Sequence, residues 1–343
     1  MSIMLREIGQ QPEALDRTLR AEEAHMRRVA SSLRKSGVRL IVLVARGASD
    51  NAALFGRYLL ELTTGIPVSL AAPSIHTLYK RFLNLNGALV VGVSQSGEGT
   101  DINVVLEGCK KSGSRILAIT NNRNSTMASI AHETFITRAG AERSVAATKS
   151  YTTQLMVFYM LARALRGESF EPLKAIPEYA EKTYGLVGYI DSIIERYRFV
   201  DHCVVVGRGL NYASAFEFAL KLMETCYVVA ERFSSADFMH GPIAVLQRDF
   251  PVLLLAPPGP VYSDMRKLAE RIRQLQADSL IVSSERSILK LASCPIQIPE
   301  RIPDLYSPIP YIIPGQILAA LLAEVKGLSP DKPRGLSKVT KTL

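Results

Sequence analysis

Gly87-Ala-Leu-Val-Val-Gly-Val-Ser-Gln-Ser-Gly-Glu-Gly-Thr-Asp101 is the stretch that decides how this chain folds. Ala88 to Val93 is an apolar, β-branched run of the kind buried on both faces of a parallel sheet. It stops at Ser94-Gln95-Ser96-Gly97-Glu98-Gly99-Thr100, a turn rich in hydroxyls with two glycines. A helix-like pattern begins at Ile102, and Asp101 is placed to cap it. A strand, a hydroxyl-rich turn and a helix N-terminus together make a ready seat for an anion. Unpaired backbone N–H groups and the positive end of the helix dipole both face it. The same pattern also serves as a plain Ser/Gly connection without a ligand, so the rest of the chain has to decide.

Working outward, Arg39 to Ala45 reads as a buried strand, followed by the small-residue turn Arg46-Gly47-Ala48-Ser49-Asp50 and a helix from Asn51 to Thr63. Further strands are expected at Val68–Leu70, Arg115–Thr120 and Glu133–Thr137, with a helical piece at Thr77–Phe82. The loop Ala139–Lys149 leads into a long helix ending near Leu165. The pattern then restarts: strand His202–Val206, turn Gly207–Asn211, helix Ala213–Val228, strands Pro251–Ala256 and Leu280–Ser283. Val44-Ala-Arg-Gly47 echoes Val206-Gly-Arg-Gly209, and both precede a helix. Repetition of a whole strand–helix series implies an α/β fold of two duplicated subdomains, each a parallel sheet flanked by helices in the flavodoxin-like manner. Residues 1–36 form a helical arm, 37–166 the first domain, 167–197 a linker, 198–330 the second domain and 331–343 a C-terminal tail. In the second half, prolines at 257, 258 and 260 stand where the serines would be, so only the first half keeps the anion turn.

Composition narrows the function. The 343 residues carry a net charge of +9, with 48% apolar and 21% charged residues, which excludes a disordered chain. The basic residues are spread out, with no Lys/Arg block and no Trp, which disfavours nucleic acid and suits small anionic substrates. Cys109, Cys203, Cys226 and Cys294 have no metal-type spacing and read as thiols of a reducing cytoplasm; no metal and no cofactor are expected. No window is expected to reach the ~18 to 20 apolar residues of a membrane span, and the N-terminus lacks the apolar core of a signal peptide.

The motifs in order point to a family. They are Arg46-Gly-Ala-Ser49, Ser94-Gln-Ser-Gly-Glu98, Val145-Ala-Ala-Thr-Lys149-Ser-Tyr-Thr-Thr-Gln154, Gly207-Arg-Gly209, Glu217-Phe-Ala-Leu-Lys221-Leu-Met-Glu224, His240-Gly-Pro242 and Pro333-Arg-Gly-Leu-Ser-Lys338. They span nearly the whole chain, which resembles sugar isomerase (SIS) domain proteins, in particular the isomerase half of glutamine–fructose-6-phosphate aminotransferase and its single-function relatives. Residue 1 falls where that half begins, and the expectation is a chain without the glutaminase domain and its leading cysteine.

The resemblance assigns roles. Ser49, Ser94, Gln95, Ser96 and Thr100 match positions that cradle the sugar phosphate, although Gly99 intervenes where relatives have Thr directly after Gly-Glu; Val145 joins the substrate-binding set. Lys221 and Glu224 share one helix face by their spacing, which alone describes a surface ion pair as readily as a general base beside its lysine. By resemblance Glu224 carries the proton between C1 and C2 and Lys221 assists, with Glu217 one turn earlier as a supporting acid. His240 matches a histidine that opens the sugar ring from the neighbouring subunit, which implies a homodimer with shared sites. Lys338 matches a lysine that closes over the substrate, and Lys149 and Arg208 either orient substrate or hold loops. Ala147 replaces a sugar-contacting serine. The reaction implied is glucosamine 6-phosphate plus water to fructose 6-phosphate and ammonia. Alternatives are an aminotransferase subunit lacking its glutaminase, a fructosamine-phosphate deglycase, another phosphosugar isomerase, or a non-catalytic sugar-phosphate-binding regulator.

Overall fold

In the computed structural model, described over residues 1–338, each half of the chain builds one five-stranded parallel sheet. The chain runs α1 (Ile3–Gly9), α2 (Gln11–Ser36), β1 (Ile41–Val44), α3 (Ala48–Thr64), β2 (Val68–Leu70), α4 (Pro73–Thr77), β3 (Leu89–Val93), α5 (Thr100–Lys111), β4 (Arg115–Thr120), α6 (Thr126–Ile130), β5 (Glu133–Ile136) and α7 (Lys149–Arg166). It continues with α8 (Ile176–Tyr184), α9 (Val187–Ile193), β6 (His202–Gly207), α10 (Asn211–Cys226), β7 (Val229–Ser234), α11 (Ser235–Met239), β8 (Pro251–Leu255), α12 (Tyr262–Gln274), β9 (Asp278–Ser283), α13 (Arg286–Leu289), β10 (Cys294–Gln297) and α14 (Pro308–Val325). One compact unit gathers residues 11–142, 149–177 and 336–338; the other gathers 1–10, 143–148 and 178–335.

The first unit's strands lie in the order β2-β1-β3-β4-β5, and the second's in the matching order β7-β6-β8-β9-β10. The expected duplicated α/β fold is therefore present. In each sheet the chain steps outward to one edge, then returns to the other side of the strand it started from. That reversal lies between β1 and β3, and between β6 and β8, and it opens a crevice at the carboxyl ends of those strands. Arg46–Ser49 follow β1 and Ser94–Thr100 follow β3, so the two polar turns meet at the first unit's crevice.

The crevices are held by apolar cores. Val42, Val44, Val90, Ile102, Leu106, Ile116 and Ala118 cluster in the first unit; Val204, Val206, Val252, Leu254, Leu268 and Ile281 do so in the second. Each buried Val, Leu or Ile contributes roughly 1.5–3 kcal/mol, enough to fix the strand ends against the entropy of ordering their turns.

Five expectations are corrected. The N-terminal helical arm is two helices, broken at Gln10, which caps α1 by donating its N–H to Glu7 and Ile8 carbonyls. The helix near Thr77–Phe82 lies earlier, at Pro73–Thr77: proline suits the first helical position, and Lys80, with a left-handed φ of 52°, lies outside the helix. α3 starts at Ala48 rather than Asn51, which brings Ser49 into its first turn. Asp101 does not cap α5. Gly99 holds the cap position, and Asp101 sits inside the first turn with Arg46 as its partner. Finally, α14 does reach the length and apolarity of a membrane span, with a mean hydropathy of 1.4. It is 89% buried, as the core helix of the second unit.

Candidate active site

The seat in the first unit is built by turn chemistry. Ser94 Oγ accepts the Gly97 N–H at 3.1 Å, and Ser96 Oγ accepts the Glu98 N–H at 3.2 Å. Each hydroxyl thus uses an acceptor site inside the turn and keeps its hydrogen for an outside oxygen. Gly97 has φ +70°, and a Cβ there would lie 2.3 Å from Ser125 Oγ, so only glycine fits. Gln95 anchors the turn through its carbonyl, which accepts the Asn121 N–H at 3.0 Å. Glu98 turns away: its carboxylate takes the Thr126 N–H at 3.0 Å and the Thr126 hydroxyl at 2.7 Å. Thr100 opens α5.

Ser49 is buried, and its Oγ accepts from Gln154 Nε2 at 2.9 Å, again leaving the hydroxyl hydrogen to donate. Two buried acceptors here have no protein donor: Gln154 Oε1 and Asn103 Oδ1, the latter on a side chain that donates to Gly97 O. Buried oxygens of this kind are normally satisfied, so both stand out beside the serine turn and the Ser49 hydroxyl.

The buried charged cluster belongs to α10 in the second unit. Lys221 is wholly buried, its Nζ 2.5 Å from Glu224 Oε2 and 3.3 Å from Glu217 Oε1. Burial alone would push the ammonium pKa down, but the two carboxylates outweigh it and hold the lysine above its ordinary value. Lys221 therefore stays charged. Glu217 is as buried as the lysine, whereas Glu224 keeps 24% of its side chain exposed, so of the two carboxylates Glu224 is the one open to solvent. Close packing positions the helix: Gly315 of α14 lies under the Phe218 ring, where a Cβ would come within 2.7 Å.

The other expected residues are dispersed. His240 is exposed at the end of α11, before Gly241 at φ +139°, and forms no hydrogen bond with Glu224 or Lys221. The Val145 N–H is donated to Asp331 O at 3.1 Å, within the second unit. Lys149 holds its own loop by donating to Ala141 O at 2.6 Å, and Arg208 lies 3.8 Å from Asp264. Lys338 contacts Glu142 at 2.9 Å.

Glu142 was not picked out from the sequence. It is a fully buried carboxylate that also accepts the Ser150 N–H at 3.0 Å and the Ser150 hydroxyl at 2.6 Å. The available signal was that it is the single acid in the loop 139–149. Among the described residues no cluster of His, Cys, Asp and Glu is arranged to hold a metal ion.

A duplicated parallel sheet, a serine turn at its first crevice and a buried Lys–Glu pair on the helix after β6 are the features to be matched. The SIS domain profile matches residues 33–164 and 198–322, and the chain belongs to the SIS domain family. It is 35% identical over 353 residues to the glutamine–fructose-6-phosphate aminotransferase (isomerizing) of Gloeobacter violaceus, covering 98% of this chain but 58% of that protein. The chain thus spans less than two thirds of that relative. Among solved structures it is similar to the C-terminal domain of glucosamine-fructose-6-phosphate aminotransferase from Francisella tularensis, with TM-score 0.88, 28% identity, and 97% and 98% of the two chains covered. It shares its fold with a glucosamine-6-phosphate deaminase from Thermotoga maritima, with TM-score 0.83, 22% identity, and 99% and 100% covered.

Proposed function

We propose that this protein interconverts an aldose phosphate and a ketose phosphate, and that its pair is glucosamine 6-phosphate and fructose 6-phosphate. The amino sugar reacts with water to give the ketose and ammonia. The observation that carries this reading is the buried Lys221 ammonium locked 2.5 Å from the reachable carboxylate of Glu224. A carboxylate held beside a fixed positive charge can take a proton from carbon and return it, while the ammonium steadies the oxygen charge that develops.

In this reading Ser49, Ser94, Gln95, Ser96 and Thr100 seat the phosphate, with Val145 at the sugar. His240 opens the ring to expose the C1 aldehyde. Glu224 removes the C2 proton, giving an enolamine, and delivers it to C1. The resulting C2 imine takes up water and loses ammonia, so no atom or electron is left over. Lys338 closes over the open-chain sugar. Met239 and Val245, 47% and 53% exposed, flank His240 and support a second copy of the chain covering this face, with His240 serving the partner's site. The reverse direction, synthesis from fructose 6-phosphate and ammonia, is the second reading, favoured by the aminotransferase name of the 35%-identical relative.

The test is a coupled assay for ammonia and fructose 6-phosphate on adding glucosamine 6-phosphate, wild type beside Glu224→Gln. Ammonia release that falls about 10²- to 10⁴-fold in the variant supports the reading and its base. No ammonia from the amino sugar, with glucose 6-phosphate converted to fructose 6-phosphate in a parallel assay, would replace deamination by simple isomerisation. If neither reaction occurs but the sugar phosphate raises Tm, the protein is a binding module and the catalytic reading fails.

A further inference from the structure

Arg46 is the one cation of the two polar turns and pairs with Asp101. It ends the turn after β1, one residue before the start of the α3 cap at Gly47, and its Nε donates to Asp101 Oδ2 at 2.6 Å in the first turn of α5. It also faces Asp50 in the first turn of α3, whose pKa is raised by burial and pulled back by this guanidinium. The Arg46 head therefore lies where the N-termini of α3 and α5 come together, at the crevice between β1 and β3. Its pairing is unequal: the Asp101 side chain is 3% exposed, the Arg46 side chain 54%. Only Nε is used by that carboxylate.

Charge makes this residue decisive. The two turns, residues 46–51 and 94–103, contain three acids, Asp50, Glu98 and Asp101, and one cation, Arg46. The Glu98 carboxylate is turned aside to Thr126, but Asp50 and Asp101 remain at the helix starts, where their charge opposes any incoming anion. Hydroxyls and helix dipoles alone would have to bind a dianion against them. A guanidinium that neutralises Asp101 through Nε and keeps its Nη groups for a second oxyanion resolves the conflict. Its fork geometry allows both contacts at once.

We propose that Arg46 is the cationic member of the phosphate seat, binding the sugar phosphate through its Nη groups while Asp101 holds the guanidinium in place. This rests on the reading of the serine turn as the phosphate seat. It assigns phosphate selectivity to a side chain in the turn after β1, beside Ser49 and across the crevice from Ser94 and Ser96 in the turn after β3.

The test titrates wild type, Arg46→Lys, Ser96→Ala and the pair Arg46→Ala/Asp101→Asn with fructose 6-phosphate, inorganic phosphate and unphosphorylated fructose, following heat of binding and Tm. The paired variant removes both charges of the Arg46–Asp101 pair, so Asp101 is not stranded as a buried carboxylate, and wild-type Tm without ligand is the check that the fold survives the loss of Arg46 beside Asp50. Arg46 in the seat predicts that the paired variant loses about 10- to 100-fold in affinity for both phosphates. Arg46→Lys should fall between it and wild type, and the response to fructose should not change. Wild-type phosphate affinity in the paired variant, with Ser96→Ala weakened, overturns the role of Arg46 and leaves the serine seat standing. Unchanged phosphate affinity in both variants overturns the role of Arg46 and the serine seat together.

Discussion

The two units share one strand order and differ in what their equivalent helices carry. At the offset of 162 residues set by Val44 and Val206, Phe55 and Leu59 of α3 correspond to Glu217 and Lys221 of α10. Phe55 and Leu59 are buried apolar side chains in the first unit; the second places a fully buried ion pair at the same positions. The loops differ in the opposite sense. After β3 comes the serine turn, and after β8 comes Pro257-Pro258-Gly259-Pro260, which has fewer backbone N–H groups to offer an anion. Each unit thus keeps one specialised feature and fills the other's position with packing or rigid turn.

The largest effect expected from this comparison comes from breaking the buried pair. Lys221→Met leaves Glu217 as a buried carboxylate without its cation and should cost about 3–5 kcal/mol, read by urea denaturation. Giving the second unit the apolar character of the first, with Glu217→Met added, should recover most of that stability, because two methionines of similar volume can pack where the ions stood. Activity should stay lost in both variants. If the double variant is no more stable than the single one, the α10 pair holds the unit together in a way that α3 never needed.

Gly97→Ala comes next. Its left-handed φ of +70° and the 2.3 Å approach to Ser125 Oγ both forbid a side chain, so the substitution distorts the turn itself. The expected cost is about 1–3 kcal/mol together with loss of sugar-phosphate protection in a thermal-shift titration. Loss of stability with protection retained would separate the turn from the phosphate seat.

These positions also mark how far the sequence could be read. The strands were legible because Ile41–Val44, Leu89–Val93 and their counterparts are continuous apolar runs, buried on both faces. The serine turn was legible because Gly97 and its hydroxyl neighbours are local chemistry. Helix starts were less so: the small polar turn Arg46–Asp50 read as a loop, which placed the start of α3 at Asn51 and hid Ser49 in its first turn. The Arg46–Asp101 pair spans 55 residues and Lys338–Glu142 spans 196, and no local pattern encodes such partners. Glu142 escaped notice because a lone acid in a loop looks solvated until Ser150 and Lys338 are seen around it.

A third prediction concerns how the units seat their long helices. In the first, Gly56 of α3 lies under Phe158 of α7, where a Cβ would come within 2.5 Å. At the same offset α10 carries Phe218, and α14 supplies the glycine, Gly315, with a 2.7 Å approach. The large and small partners have changed sides. Gly56→Ala and Gly315→Ala should each cost about 1–3 kcal/mol by overpacking, and Phe158→Leu or Phe218→Leu should restore part of the loss in its own unit only. Rescue across units would mean that the two cores are not independent.

The smallest effect should come from the acids that follow the last strand of each sheet. Glu142 after β5 is saturated by Ser150 and Lys338, whereas Asp304 after β10 keeps a buried Oδ1 without a partner. Burial raises the Asp304 pKa to about 6 from an ordinary 3.8. The folded state therefore holds this proton more tightly than the unfolded chain does. Stability from this group rises as pH falls through about 6 toward 3.8, and the cost of the ionised form is fully present above that window. Asp304→Asn removes the charge at neutral pH, so it should raise Tm at pH 7 by on the order of 2 °C, a figure reduced for the residue's partial exposure. The gain should vanish near pH 4, where wild type is itself protonated. Glu142→Gln should do the reverse and lower Tm at pH 7, because its charge is the one that Lys338 and Ser150 are built around. A Tm difference between Asp304→Asn and wild type that stays constant from pH 4 to 7 would show that the unpartnered oxygen, rather than its charge, sets the strain.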